Sequence, residues 1–144
     1  MRGIGVADVY VNEDVVVDDV WSLHNHPDPD RRAASRSCFC GVVDYVRELG
    51  SSGVSMAAGG LHDEACRRRS VEELRWRVDY ALTSDVRVSI EPYNDGDVGR
   101  PAVIEDLLEA VPGLELTLDH SHFTRVGVPL ADVESLLQRT RHLH

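Results

Sequence analysis

Val86-Arg87-Val88-Ser89-Ile90-Glu91 and, one βα unit later, Leu114-Glu115-Leu116-Thr117-Leu118-Asp119 are two strand-like runs of equal length and phase. Side chains alternate faces along a strand, so Val86, Val88 and Ile90 share one side while Arg87, Ser89 and Glu91 share the other. In the second run Leu114, Leu116 and Leu118 oppose Glu115, Thr117 and Asp119. Each run closes on a carboxylate, and the second is followed at once by His120-Ser121-His122. If the strands are parallel neighbours in one sheet, both carboxylates leave its polar face at the carboxyl end with imidazoles close behind. That donor set suits a divalent metal.

Around these runs, helical periodicity recurs in Val42, Val43, Val46, Leu49, in Val71, Leu74, Val78, Ala81, Leu82, in Ile104, Leu107, Leu108, Val111, and in Leu130, Val133, Leu136, Leu137. Ser70 and Glu73 form a capping-box pattern, Pro101 and Pro129 suit first helical turns, and Gly50 and Gly113 suit helix ends. Further strand candidates are Val20 to His24, Val54 to Ala58, and Arg141 to His144. Strand and helix alternate, which implies parallel strands joined by right-handed crossovers. A doubly wound sheet is covered on both faces and its strands tend to be apolar throughout, whereas these strands are apolar on one face only. A barrel with helices outside fits better. A complete eightfold barrel takes about 250 residues, so the expectation for 144 residues is an α/β partial (β/α)8 barrel of four βα units and the start of a fifth strand. Residues 20–144 form that domain, and residues 1–19 are left unassigned.

Composition narrows the function classes. A formal net charge of -10 argues against a phosphate-tracking surface, so no nucleic-acid partner is expected. Arg67-Arg68-Arg69 reads as a solvated loop before a helix. No apolar run reaches the roughly 20 residues that span a bilayer, and Val15-Val16-Val17, flanked by Asp14, Asp18 and Asp19, does not resemble a signal peptide. No membrane association and a cytoplasmic location are the expectation. Cys38, Cys40 and Cys66 lack C-x-x-C spacing and read as reduced, structural residues.

The chain resembles the xylose isomerase-like TIM barrels, a group of sugar isomerases, ketose epimerases, inosose dehydratases and apurinic endonucleases. The resemblance rests on His24-Asn25-His26-Pro27, Gly53 to Gly59, Ser89-Ile90-Glu91-Pro92, Leu118-Asp119-His120-Ser121-His122 and the final Arg141-His142-Leu143-His144. It implies that Glu91 and Asp119 are metal ligands, with His144 as the imidazole ligand and His142 its competitor on the same face. It implies that His122 lies by the substrate or a second metal. Glu91 would be both ligand and catalytic base, taking the proton next to a metal-polarised carbonyl. Mn²⁺ or Mg²⁺ suits the carboxylate-rich set, with Co²⁺ or Zn²⁺ as alternatives, Zn²⁺ if more histidines join. The family's last ligand, a glutamate from a later strand, has no counterpart in these residues.

Other residues keep two readings. His26, with His24, would line the pocket, hold a second metal or sit in a surface loop, and Gly59-Gly60 would admit a substrate oxygen or make a tight turn. Tyr93 is the aromatic best placed to face a sugar, though packing is its common role. Glu91-Pro92 alone could be a plain strand end, and Asp119 to His122 a polar turn with Asp capping the next segment. The implied function is a divalent-metal sugar or sugar-phosphate isomerase or epimerase, or a related polyol dehydratase, acting on a small-molecule sugar or polyol. Alternatives are a zinc phosphodiesterase of the apurinic endonuclease type and a noncatalytic barrel remnant acting in interactions. Open sheet edges would favour a homo-oligomer.

Overall fold

The computed structural model describes residues 6–11, 24–92 and 99–144. Its elements run β1 (Val9–Val11), α1 (Pro29–Glu48), β2 (Gly53–Ala57), α2 (Glu64–Leu82), β3 (Arg87–Glu91), α3 (Pro101–Ala110), β4 (Glu115–Leu118), α4 (His120–Arg125), α5 (Leu130–Val133), a 3-10 turn (Glu134–Arg139) and β5 (Thr140–Leu143). The strands form one parallel sheet in sequence order. This is the expected barrel segment.

The apolar strand faces build the core. Val54, Met56, Val88, Ile90, Leu116 and Leu118 are all buried against the helix stripes Phe39, Val43, Val46 of α1, Leu74, Val78, Ala81 of α2, and Ile104, Leu107, Leu108 of α3. Each Val, Leu, Ile, Phe or Met among them contributes roughly 1.5–3 kcal/mol relative to exposure. The opposite face is polar, and it is curved. The Ser55, Ser89 and Thr117 hydroxyls of β2, β3 and β4 meet in a ring, with Ser89 Oγ 2.9 Å from both neighbours. Side chains from β2 and β4 can touch over β3 only if the sheet rolls toward this side. Arg141 of β5 then crosses the interior to Asp8, just before β1, at 3.3 Å. A Cβ on Gly53 would lie 1.8 Å from the Arg141 guanidinium, so a side chain there would displace the guanidinium from this path.

Several expectations change. The first strand is Val9–Val11, paired with Val54 to Met56, inside the stretch left unassigned. Of the expected strand Val20 to His24, residues 20–23 lie outside the described residues, and His24 is in a turn. Helix α2 begins at Glu64, capped by Asp63, whose carboxylate accepts the Cys66 amide at 2.6 Å. Ser70 and Glu73 are therefore interior helix positions, both buried, rather than a capping box. Arg67, Arg68 and Arg69 belong to the same helix instead of a loop before it. Glu73 serves packing: its carboxylate binds Arg36 Nε and Nη2 at 2.9 Å each and Arg77 Nη1 at 3.0 Å. Among the described residues, no helix is long and apolar enough to cross a membrane.

Candidate metal centre

Four expected residues converge where β3, β4 and β5 end. Glu91 is the last residue of β3 and is 5% exposed. Asp119 follows β4 and caps α4, accepting the Ser121 amide at 2.8 Å through Oδ1. That short helix turns the chain back over the sheet and brings His122 Nε2 to 3.5 Å from Asp119 Oδ2 and 3.9 Å from Glu91 Oε1. From β5, His144 Nδ1 lies 2.9 Å from Glu91 Oε1, and its amide donates to the Leu118 carbonyl at 3.1 Å.

The register explains the reach. Ile90 pairs with Leu116, so Asp119 extends two residues further toward the carboxyl end than Glu91 does. The carboxylates share a face, as their phase indicated, but not a level. The α4 turn closes the difference. In β5 a register shift between Thr140 and His142 leaves Arg141 as an extra residue. His142 and His144 keep the interior phase, with rings edge to face at 5.1 Å.

One ligand atom each from Glu91, Asp119 and His122 lies within 4.8 Å of the others. A nearly buried carboxylate, a second carboxylate and the His122 imidazole at such spacing, with the His144 ring against Glu91, suit a hard or borderline divalent cation, so these residues fit the ion that the resemblance implies. Partial burial works to raise the Asp119 carboxyl pKa. Hydrogen bonds from the Ser121 hydroxyl and amide, with the nearby His122 and His144, outweigh it and hold the group below the ordinary aspartate value. Asp119 is thus held toward its ionised form, the one a metal ligand requires.

The other expected site residues are His26 and Tyr93. His26 is nearly buried in the turn before α1, where Nδ1 accepts the Asp28 amide at 2.9 Å and Nε2 is 3.4 Å from Arg31; its ring orders that turn. Tyr93 lies outside the described residues. His24, fully buried, has Nε2 3.2 Å from the Ala58 carbonyl. Asn25 donates to the Gly60 carbonyl at 2.6 Å and to Ser70 Oγ at 2.9 Å. Gly59, at φ +78°, passes so close that a Cβ would lie 2.7 to 2.9 Å from His24 and Asn25. Gly59 thus lets the backbone pass directly against the 24–25 loop.

Residues 15–144 match the sequence model of the family described as xylose isomerase-like TIM barrel. The chain belongs to that family. No curated protein matches this xylose isomerase-like chain. Solved structures similar to it include an L-ribulose 3-epimerase, 17% identical over 99% of this chain and 50% of that one, with a TM-score of 0.82. A 3-keto-D-glucoside 4-epimerase from E. coli is 16% identical over 98% of this chain and 58% of that one, at 0.79. An AP endonuclease, family 2, from Brucella melitensis is 18% identical over 96% and 58%, at 0.77. The chain spans about half the length of these barrels. At such identities the likeness establishes the fold, a stretch of five consecutive parallel strands of a TIM barrel.

Proposed function

We propose that this chain carries the metal-binding half of a sugar or polyol isomerase or epimerase site, with Glu91, Asp119 and His144 as ligands and His122 facing the substrate. The observation that supports it is the meeting of two carboxylates and two imidazoles at the carboxyl ends of β3, β4 and β5. Ligands of βα barrels bind at that end. A divalent ion there, Mn²⁺ or Mg²⁺ by the carboxylate content, with Co²⁺ or Zn²⁺ also accommodated, would polarise the carbonyl of a bound hydroxy-ketone.

The side chains supply the rest. Glu91, shielded from water and oriented by His144, is placed to take the proton from the carbon next to the carbonyl. Returned to the neighbouring carbon, that proton completes an isomerisation; delivery to the opposite face of the same carbon completes an epimerisation. His122, between Glu91 and Asp119, can donate a hydrogen bond to a substrate oxygen and so fix which carbon faces Glu91. Elimination of a β-hydroxyl after the same abstraction would give dehydration.

Incubation of the chain with Mn²⁺ and a panel of unphosphorylated and phosphorylated ketoses in D₂O tests this reading. Deuterium should enter next to the carbonyl in a metal-dependent manner, and Glu91→Gln should stop it. Metal binding with no exchange in any ketose would favour the noncatalytic remnant. No metal response at all would sink the centre itself.

A further inference from the structure

A second group of ligand-type side chains lies where β2 passes into α2. His62, Asp63 and Cys66 place one donor atom each within 4.8 Å of the others. Cys66 Sγ is 3.4 Å from His62 Nε2, and that nitrogen is 3.7 Å from Asp63 Oδ2. Around a tetrahedral zinc ion, with Zn–S about 2.3 Å and Zn–N or Zn–O about 2.0–2.2 Å, neighbouring ligand atoms stand about 3.3–3.6 Å apart. Two of the edges, at 3.4 and 3.7 Å, are thus close to that spacing, and the third lies within 4.8 Å.

We propose that His62, Asp63 and Cys66 form a second metal site, selective for a borderline-soft ion such as Zn²⁺ and separate from the carboxylate-rich centre at Glu91. Local folding builds it. Asp63 uses Oδ1 to cap α2 through the Cys66 amide, which leaves Oδ2 on the His62 side. Cys66 is 3% exposed and forms the floor; His62 and Asp63 are exposed and form the mouth. The solvent side leaves the fourth position to water or an outside ligand.

Arg69 is the apparent objection, since its Nη2 donates to Cys66 Sγ at 3.1 Å. Its Nε is tied to the Asn25 carbonyl at 2.8 Å, so the guanidinium acts as a fixed N–H···S donor. Such a donor, like the amino end of α2, favours the thiolate, the form that binds metal. An aspartate and a thiolate bring two negative charges against the added cation. An ion here fastens the β2–α2 connection, whose Ala58 and Gly60 carbonyls already hold His24 and Asn25.

Titration of the 144-residue chain with Co²⁺ distinguishes the two centres, because only a thiolate ligand gives a sulfur-to-cobalt charge-transfer band in the near ultraviolet. The band should appear in the unaltered chain, persist in Glu91→Gln, persist in the Cys38→Ser/Cys40→Ser double variant, and bleach on adding Zn²⁺. It should vanish in Cys66→Ser. His62→Ala, altering an exposed side chain, should weaken Co²⁺ binding about tenfold or more with an unchanged circular dichroism spectrum. Absence of the band from the unaltered chain, its survival in Cys66→Ser, or its loss in the Cys38/Cys40 variant overturns the proposal. Failure of the Glu91 centre would show instead as metal-dependent exchange that is insensitive to Glu91→Gln.

Discussion

Acid should destabilise this fold through His24 before most of its carboxylates are protonated. His24 is fully buried in the turn beneath Gly59. Burial, then the positive field of Arg77, lower its pKa from 6.5 to about 3, against the opposing hydrogen bond to Ala58. The folded chain therefore keeps a neutral ring where the unfolded chain has taken up a proton. The unfolded state binds more protons between those values, so stability rises with pH across that window and is lost as pH falls through it. The size follows from 1.36 kcal/mol per unit. About 2 kcal/mol is lost by pH 5 and about 3 kcal/mol by pH 4. His24→Gln keeps an N–H for Ala58 and removes the titration. Urea unfolding followed by circular dichroism should show the unaltered chain losing about 2 kcal/mol more than His24→Gln between pH 7 and pH 5. That is about 1 M in midpoint at ordinary slopes. Parallel losses in the two chains would refute the argument, as would an imidazole resonance of His24 that titrates near pH 6.

Gly59→Ala should cost more than Gly127→Ala. Both glycines have positive φ, +78° and +75°, but only a Cβ at Gly59 meets other atoms, those of His24 and Asn25. The backbone cost common to both is about 1–2 kcal/mol, so equal thermal shifts would deny the close packing. Glu73→Ala should lose about 3–5 kcal/mol, since it strips the carboxylate from Arg36 and from the fully buried Arg77; a loss under about 1 kcal/mol would mark the network as dispensable. At a Mn²⁺ concentration of about 100 times its dissociation constant, the chain should gain about 2.7 kcal/mol. That corresponds to a melting-temperature rise of roughly 5–10 °C, lost in Asp119→Asn. An equal rise in that variant would move the site elsewhere.

The barrel was legible because its strands carry two separate codes. Val88, Ile90, Leu116 and Leu118 announce the helix-covered face by their apolarity, while Ser89, Glu91, Thr117 and Asp119 announce the interior by phase. Local chemistry misled where it was ambiguous. Ser70 and Glu73 satisfy a capping-box spacing, yet Asp63 caps the helix first, and the later pair is spent on contacts to Asn25, to the distant Arg36 and to Arg77 one turn further along the same helix. The strand Val9–Val11 is three residues long, too short to show periodicity.

The interior also shows why the sequence could group the candidate-site residues but not rank them. Phase assigns Glu91, Asp119 and His144 to one face, but their separations depend on the β3–β4 stagger, the extra residue at Arg141 and the reversal of α4. None of these is periodic. His122, expected beside the substrate, stands at ligand spacing from both carboxylates, whereas His144 is engaged with Glu91. The two imidazoles thus compete for one role, and exchange of the pair can separate them. A ligand must hold the ion in the absence of substrate, so its alanine variant should abolish the Mn²⁺-induced melting shift. A substrate-facing histidine should leave that shift intact and raise KM. If His144→Ala keeps the full shift and His122→Ala loses it, the roles proposed for them are reversed while the centre stands.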